Sequence, residues 1–295
     1  MNPKLVTAFQ NLESLSKIRQ REVFCPIAKV TAINTPLIAS DDLMLKTTMT
    51  SVGNYDRELS KIIFKHTLFP DIELQNQKIT FEQFIENISY LDRQVLLWGI
   101  FDSTYGALGS REITCPHCKF KFDDIIKSIE LLQPDTLTNW DKELSFKDYI
   151  FTITIPVGTD KIDRIEFLTQ LPSIKQHLAV ISLLPDSVVQ SNFEQFGSLF
   201  SKVEELTSIT TIVKVYKTAT DENPDIIDSR NDIYFIISNF ILLNMVVDAL
   251  KEFNGHFAKY LPSFKKPYTC GGCGKDFDFF VDMEISLFRR FLESD

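Results

Sequence analysis

Glycine is scarce in this chain, with 10 copies in 295 residues, and histidine is scarcer still at four. Phosphate-cradling loops need glycine, and neither a P-loop nor a Gly-x-Gly-x-x-Gly run occurs. A Gly-x-Ser-x-Gly nucleophile elbow is also missing. An excess of positive charge is lacking too. The 31 Lys and Arg are outnumbered by 40 Asp and Glu, and the resulting net charge of −9 gives no overall electrostatic case for wrapping nucleic acid. No apolar run reaches the roughly 20 residues a membrane span needs. The nearest, Ile233 to Val247, carries Ser238, Asn239 and Asn244 and is edged by Asp232 and Asp248, so it predicts a central core helix. Met1-Asn2-Pro3-Lys4 leads into a polar segment rather than a signal peptide.

Candidate catalytic groups are equally thin. His66, His177 and His256 stand alone in the sequence, each reading as a surface or satisfied core residue rather than a base. Asp41-Asp42 and Asp123-Asp124 read as solvated ends or caps. Asp276, Asp278 and Asp282 are too loosely spaced for a calcium loop. These absences predict a protein that is not an enzyme and has no small-molecule substrate.

Phenylalanine, by contrast, is abundant at 25 copies. With so little glycine, this predicts a packed, mainly helical α+β protein with small strand pairs rather than a loop-rich sandwich. Five cysteines suit a reducing compartment better than a disulfide framework. Four of them sit in two copies of one motif, Thr-Cys-x-x-Cys-x-x-x-Phe-Asp. Thr114, Cys115, Cys118, Phe122 and Asp123 are repeated by Thr269, Cys270, Cys273, Phe277 and Asp278. Each copy follows a short run that reads as a strand, Arg111 to Thr114 and Lys265 to Thr269. A Cys-x-x-Cys turn between short strands is a zinc knuckle, and two knuckles supply four thiolates to one tetrahedral ion. Cys115, Cys118, Cys270 and Cys273 are therefore the expected ligands of a structural Zn2+. With four thiolates the ion keeps no open position and acts as a clamp rather than a Lewis acid. His117 is a spare ligand candidate, and Cys25 reads as a buried structural thiol.

Two other readings attach to the same residues. Cys115-Pro116-His117-Cys118 also matches oxidising thiol-disulfide oxidoreductases, whose motif opens a helix. Here it precedes Lys119-Phe120-Lys121-Phe122, which alternates like a strand. A zinc-ribbon regulator of nucleic acid needs a basic face, yet Lys119, Lys121, Lys265, Lys266 and Lys275 are mixed with aspartates.

The chain divides into an arm, residues 1–40, and one globular domain, residues 41–295, with sub-halves 41–135 and 145–295. Leu5, Phe9, Leu12 and Leu15 give residues 1–22 a helical pattern, and Pro26 and Pro36 bracket an extended stretch. That arm either docks to a partner or lies along its own domain. Helices are expected from Asp41 or Asp42 to about Met49, from Asn54 to Phe69 with Leu59, Ile62, Ile63 and Leu68 inward, and from a Thr80–Gln83 capping box. Asp92 is expected to cap a second short helix. Phe146 to Val157 reads as strand. Helices are expected at Asp163 to Leu171, Ser173 to Leu184, Asp186 to Leu206 and Asp228 to Phe253, the last stopped by Asn254-Gly255. Ile209 to Lys217 reads either way.

Leu-Ser-Lys-Ile-Ile-Phe (59–64), Thr-Phe-Glu-Gln-Phe (80–84), Leu-Asp-Arg-Gln-Val-Leu-Leu-Trp-Gly (91–99), Thr-Tyr-Gly (104–106), the two knuckles and Leu-Phe-Arg-Arg-Phe (287–291) follow one another in an order that resembles the baseplate hub or hub-assembly proteins of T-even-type contractile-tailed bacteriophages. The resemblance runs from about residue 55 to the end. It implies a non-enzymatic virion structural or assembly protein of the tail baseplate, put together in the host cytoplasm. Its partners would be other baseplate or tail proteins, with no nucleic acid and no membrane. The four cysteines are the only site residues it carries over.

Overall fold

A computed structural model describes residues 19–48, 52–70, 79–131, 145–159, 161–196, 200–258 and 262–281. The fold is α+β, with 41% helix and 28% strand in four small antiparallel sheets, and this corrects the expectation of a mainly helical protein. The largest sheet shows why. Strand β7 (Arg164–Thr169) was expected to be a helix, yet Ile165, Phe167 and Thr169 are buried in strict alternation, the period of a strand with one covered face. It pairs on one side with β6 (Phe151–Pro156) and on the other with β8 (Thr210–Tyr216), which carries β9 (Asp225–Ile227) at its edge.

The first core is built around one helix, Asp92–Thr104. Val95, Leu96, Leu97, Trp98, Ile100 and Phe101 are all buried, so it is enclosed on every side rather than amphipathic. A small sheet, β1 (Arg21–Cys25), β2 (Val30–Asn34) and β3 (Thr67–Leu68), crosses it at Gly99. A Cβ at Gly99 would lie 2.2 Å from Asn34 Oδ1 and 2.7 Å from Val23 Cγ1, so only glycine permits this approach. Asp92 is not the helix cap. That position is Leu91, and the buried Asp92 carboxylate accepts N–H bonds from Ile27 (3.1 Å) and Ala28 (2.6 Å) at the hairpin turn. Residues 21–34 thus lie along their own core. The helical pattern of Leu5, Phe9, Leu12 and Leu15 falls outside the described residues, as do Pro134, Asp282 and Leu-Phe-Arg-Arg-Phe 287–291.

In chain order, helix α1 spans Ala39–Thr48, α2 Val52–Lys65, α3 Phe81–Asn87 and α4 is the central helix Asp92–Thr104. Helix α2 buries Leu59, Ile62 and Ile63 as expected, but the chain leaves the helix for β3, so Leu68 faces out and Phe69 faces in. Thr80 and Gln83 form both bonds of the capping box. An ion pair between Arg93 and Asp56 at 2.6 Å, with both side chains fully buried, joins α4 to α2.

Helices α5 (Ile174–Ile181), α6 (Asp186–Phe196), α7 (Lys202–Ile209), α8 (Arg230–Phe240) and α9 (Leu243–Phe257) follow. The single helix expected over 186–206 is two, because Ser201 and Glu204 start α7 with a fresh capping box. The long helix expected over 228–253 is also two. Ile241 and Leu242 are extended between them, and Phe240, Leu242 and Leu243 are exposed. Asn254-Gly255 does not end α9, since burying Phe257 completely outweighs a helix penalty of about 1 kcal/mol for glycine. Helices α7, α8 and α9 cover the four-stranded sheet and complete the second core.

Candidate metal centre

Two hairpins leave the first core side by side. Strands β4 (Ala107–Thr114) and β5 (Lys121–Lys127) flank Cys115 and Cys118, while β10 (Lys265–Thr269) and β11 (Asp276–Phe280) flank Cys270 and Cys273. Their registers correspond, with Thr114 opposite Lys121 and Thr269 opposite Asp276. Their turns correspond bond for bond. Cys115 N–H donates to the Phe120 carbonyl at 2.9 Å and Lys119 N–H to the Cys115 carbonyl at 3.0 Å. Cys270 N–H donates to the Lys275 carbonyl at 2.9 Å and Gly274 N–H to the Cys270 carbonyl at 2.8 Å. The turn requires a left-handed residue after the second cysteine. One copy uses Gly274 (φ 69°), whereas the other forces Lys119 there (φ 64°).

These turns bring all four expected ligands together. The four sulfurs lie within 4.8 Å of one another. Cys115 Sγ is 3.9 Å from Cys273 Sγ, and Cys118 Sγ is 3.5 Å from Cys270 Sγ. A tetrahedral ion with Zn–S bonds of 2.3 Å sets sulfur separations of about 3.8 Å. The first cysteine of each pair is buried and the second exposed, which repeats the pseudo-symmetry of the turns.

Backbone dipoles prepare the buried thiols for ionisation. Burial pushes Cys270 up, but the Cys273 and Gly272 N–H groups and the neighbouring thiols overcome this and bring it down to about 7. Gly272 N–H lies 3.3 Å from its sulfur. Cys115 is lowered in the same way, against burial, by the N–H groups of Cys118 and His117. The Phe120 N–H favours the Cys118 thiolate, yet burial and the other three cysteines together push Cys118 up to about 12. Four thiols this close cannot all ionise on their own, and a divalent cation is the group that lets them do so.

The hairpins are also braced below the cysteines. Lys266 Nζ reaches Asp124 and Glu130, both at 2.8 Å, and Tyr268 Oη donates to the same Asp124 carboxylate at 2.8 Å. Burial works against the Lys266 ammonium, yet these two carboxylates hold it well above the ordinary lysine range. Tyr268 is pushed up to about 12 by burial and by Asp124. Its ring meets Phe122 edge-on at 5.4 Å. At the tip, Phe120 of the first knuckle covers the second. A Cβ on Gly272 would stand 3.0 Å from the Phe120 Cβ and Cγ, which accounts for glycine there, whereas a Cβ on Gly271 would meet Phe120 only at an ordinary 3.8 Å.

Asp124 is therefore a bridge between hairpins and not a solvated end, and the sequence reading missed it along with Lys266, Tyr268 and Phe120. One signal was present: Asp124 matches Phe279 in the repeat, so the symmetry breaks there. Asp41 does serve the start of α1, accepting the Ile38 N–H at 3.1 Å, but it is not a solvated end. It is buried, with His66 Nε2 at 2.7 Å and Lys65 Nζ at 2.6 Å, and His66 Nδ1 contacts Thr35 Oγ1 at 3.1 Å. His117 is exposed and lies outside the sulfur cluster. His256 meets Tyr149 Oη at 2.9 Å, and Cys25 is fully buried. Asp276 accepts from Thr269 and Asp278 pairs with Lys265.

Comparison with known family models, with curated proteins and with solved structures returned no match. No helix among the described residues is long and apolar enough to cross a membrane.

Proposed function

We propose that Cys115, Cys118, Cys270 and Cys273 hold one structural Zn2+, and that the chain is a non-enzymatic structural or assembly component of a contractile tail baseplate. The observation that carries the first part is the closed set of four sulfurs at tetrahedral spacing. All four ligands come from protein, which leaves no position for substrate or activated water. The ion joins residues about 150 apart. Closing that loop costs roughly 4–5 kcal/mol of chain entropy, and structural zinc contributes on the order of 10–16 kcal/mol in small domains.

Two rival chemistries of the same cysteines find less support. A thiol-disulfide oxidoreductase needs its motif at a helix start, whereas strand β5 follows Cys118. A nucleic-acid regulator needs a basic face at the knuckles, but of the five lysines there Lys121 pairs with Glu112, Lys265 with Asp278, and Lys266 with Asp124 and Glu130, which leaves Lys119 and Lys275 as the two exposed cations. Zinc is preferred to iron because the reading requires a redox-inert clamp, and both metals accept four thiolates.

The baseplate role rests on the sequence resemblance, and other baseplate or tail proteins are the partners it implies. Mass spectrometry of purified tailed particles and of their assembly intermediates tests it. A fixed copy number in finished particles identifies a component, and presence in intermediates alone identifies an assembly factor. Absence from both removes the proposal.

A further inference from the structure

Away from the metal centre, a partly enclosed cavity of about 240 Å3 opens where helices α5, α7 and α9 meet the loop before α4. Tyr90, His177, Phe200, Leu250 and Phe253 are among the residues of its wall, and all but Tyr90 are buried. The wall is braced from both sides. Tyr90 N–H donates to the Pro172 carbonyl at 2.8 Å, Ser89 Oγ reaches the same carbonyl at 3.1 Å, and Ile174 N–H meets the Ile88 carbonyl at 3.1 Å. His177 is clamped between rings, with Tyr90 stacked at 3.5 Å and Phe200 at 4.5 Å. Cavities held open by such bracing are of the pre-formed kind that ligands occupy.

We propose that this cavity is a binding site for a small uncharged aromatic molecule that carries a hydrogen-bonding group, of the phenol or indole class. Three features select that class. The volume admits a ring and little more, since a dry cavity of about 150 Å3 already takes benzene. The wall is aromatic and aliphatic, which suits a flat apolar body. Its polar groups are Glu205, Ser208, Asn254, the His177 imidazole and the Tyr90 hydroxyl, which accepts from Arg93 at 3.3 Å, and no lysine or arginine among the described residues lines it, so an anion finds no counter-charge on the wall. Lys202 already occupies Glu205 at 2.7 Å, which leaves little attraction for a cation. Burial keeps the His177 ring in its neutral form, pushing it down to about 3. Its Nε2 lies 3.5 Å from Asp56 Oδ2 in the buried pair with Arg93, so Nδ1 is the ring nitrogen left to exchange a hydrogen bond with a ligand.

The test is titration of the full-length, metal-loaded protein with indole, phenol and toluene, followed by calorimetry and by thermal shift. Saturable binding of indole and phenol is expected, with phenol bound about five-fold tighter than toluene, the gain of one hydrogen bond. Asn254 is exposed at the mouth on α9, so Asn254→Trp should fold with an unchanged melting temperature and lose binding at least ten-fold. His177→Phe keeps a ring between Tyr90 and Phe200 and should bring the phenol-to-toluene ratio to about one. Failure of all three compounds to saturate overturns the proposal, as does undiminished binding by folded Asn254→Trp. An unchanged ratio in His177→Phe overturns the assigned ligand class. None of these outcomes depends on which metal the cysteines hold.

Discussion

Cys118 Sγ lies 3.5 Å from Cys270 Sγ although 152 residues separate them in the chain. The contact ties the start of the fold to its far end, because β4 follows directly from the central helix α4 and β10 follows the last helix that covers the large sheet. A metal held there would join these two parts of the described fold as one unit. The brace below it does the same without metal, through side chains alone.

That brace is separable from the ion. Lys266→Ala removes two ion pairs of a largely covered ammonium and should cost about 1 kcal/mol of stability, since the partners retain access to water. Asp124→Ala should cost a similar amount. A double-mutant cycle read by urea unfolding at saturating zinc should show coupling of at least about 0.5 kcal/mol. Strict additivity would mean that the two hairpins are held by sulfur and packing only.

The strained lysine gives a prediction of opposite sign. Lys119 occupies a left-handed position that glycine takes freely in the other knuckle. Lys119→Gly should therefore stabilise the protein, by about 0.5–1 kcal/mol after the greater unfolded-state freedom of glycine is subtracted. Gly274→Ala should destabilise it by a comparable amount. Urea midpoints of the zinc-loaded variants decide both, and a loss of stability in Lys119→Gly would show the side chain to be needed.

The knuckles were legible because the metal imposes its own local grammar: a cysteine pair, a tight turn and flanking strands, all within ten residues and present twice. The capping box at Thr80 was legible for the same reason, its two bonds spanning three residues. Strand β7 was not, because what makes it a strand is β8, about 45 residues further on, and an isolated Arg-Ile-Glu-Phe-Leu-Thr carries too short a pattern to separate the two periods. Gly99 gave no sign of its role either. Its importance comes from Asn34 and Val23 lying against it across the first core. Asp41 and Asp92 look like caps in sequence, and only the fold shows what their carboxylates meet.

Removing one member of the buried Arg93–Asp56 pair should be among the most damaging single changes outside the metal centre. Either Asp56→Ala or Arg93→Ala leaves an uncompensated charge in a site with no exposure, at a cost of about 3–5 kcal/mol. Replacing both residues with apolar ones of similar volume should recover much of that loss. Chemical denaturation of the three variants distinguishes this from simple loss of packing, in which the double variant would be the worst.

Asp92 makes stability depend on pH. Burial pushes its carboxyl up to about 7, against the pull of the Ala28 and Ile27 N–H groups. Between about pH 4 and 7 the unfolded chain has lost that proton while the folded protein keeps it. This contribution therefore favours the folded state most at acid pH and is lost as pH rises toward 7. The stability of wild type relative to Asp92→Asn should rise as pH falls from 7 to 4. A flat difference would place the native carboxyl at an ordinary value, and the reverse slope would place it below that value.

Metal and thiol counting on protein purified without added metal bears most directly on the structural clamp. One zinc per chain is predicted, with one thiol, Cys25, left outside the site and the other four unreactive until a chelator is added. Cys118→Ser or Cys270→Ser should lower both zinc retention and the melting temperature. A metal-free protein with four freely titrating knuckle thiols, a disulfide among them, or iron in place of zinc would contradict it.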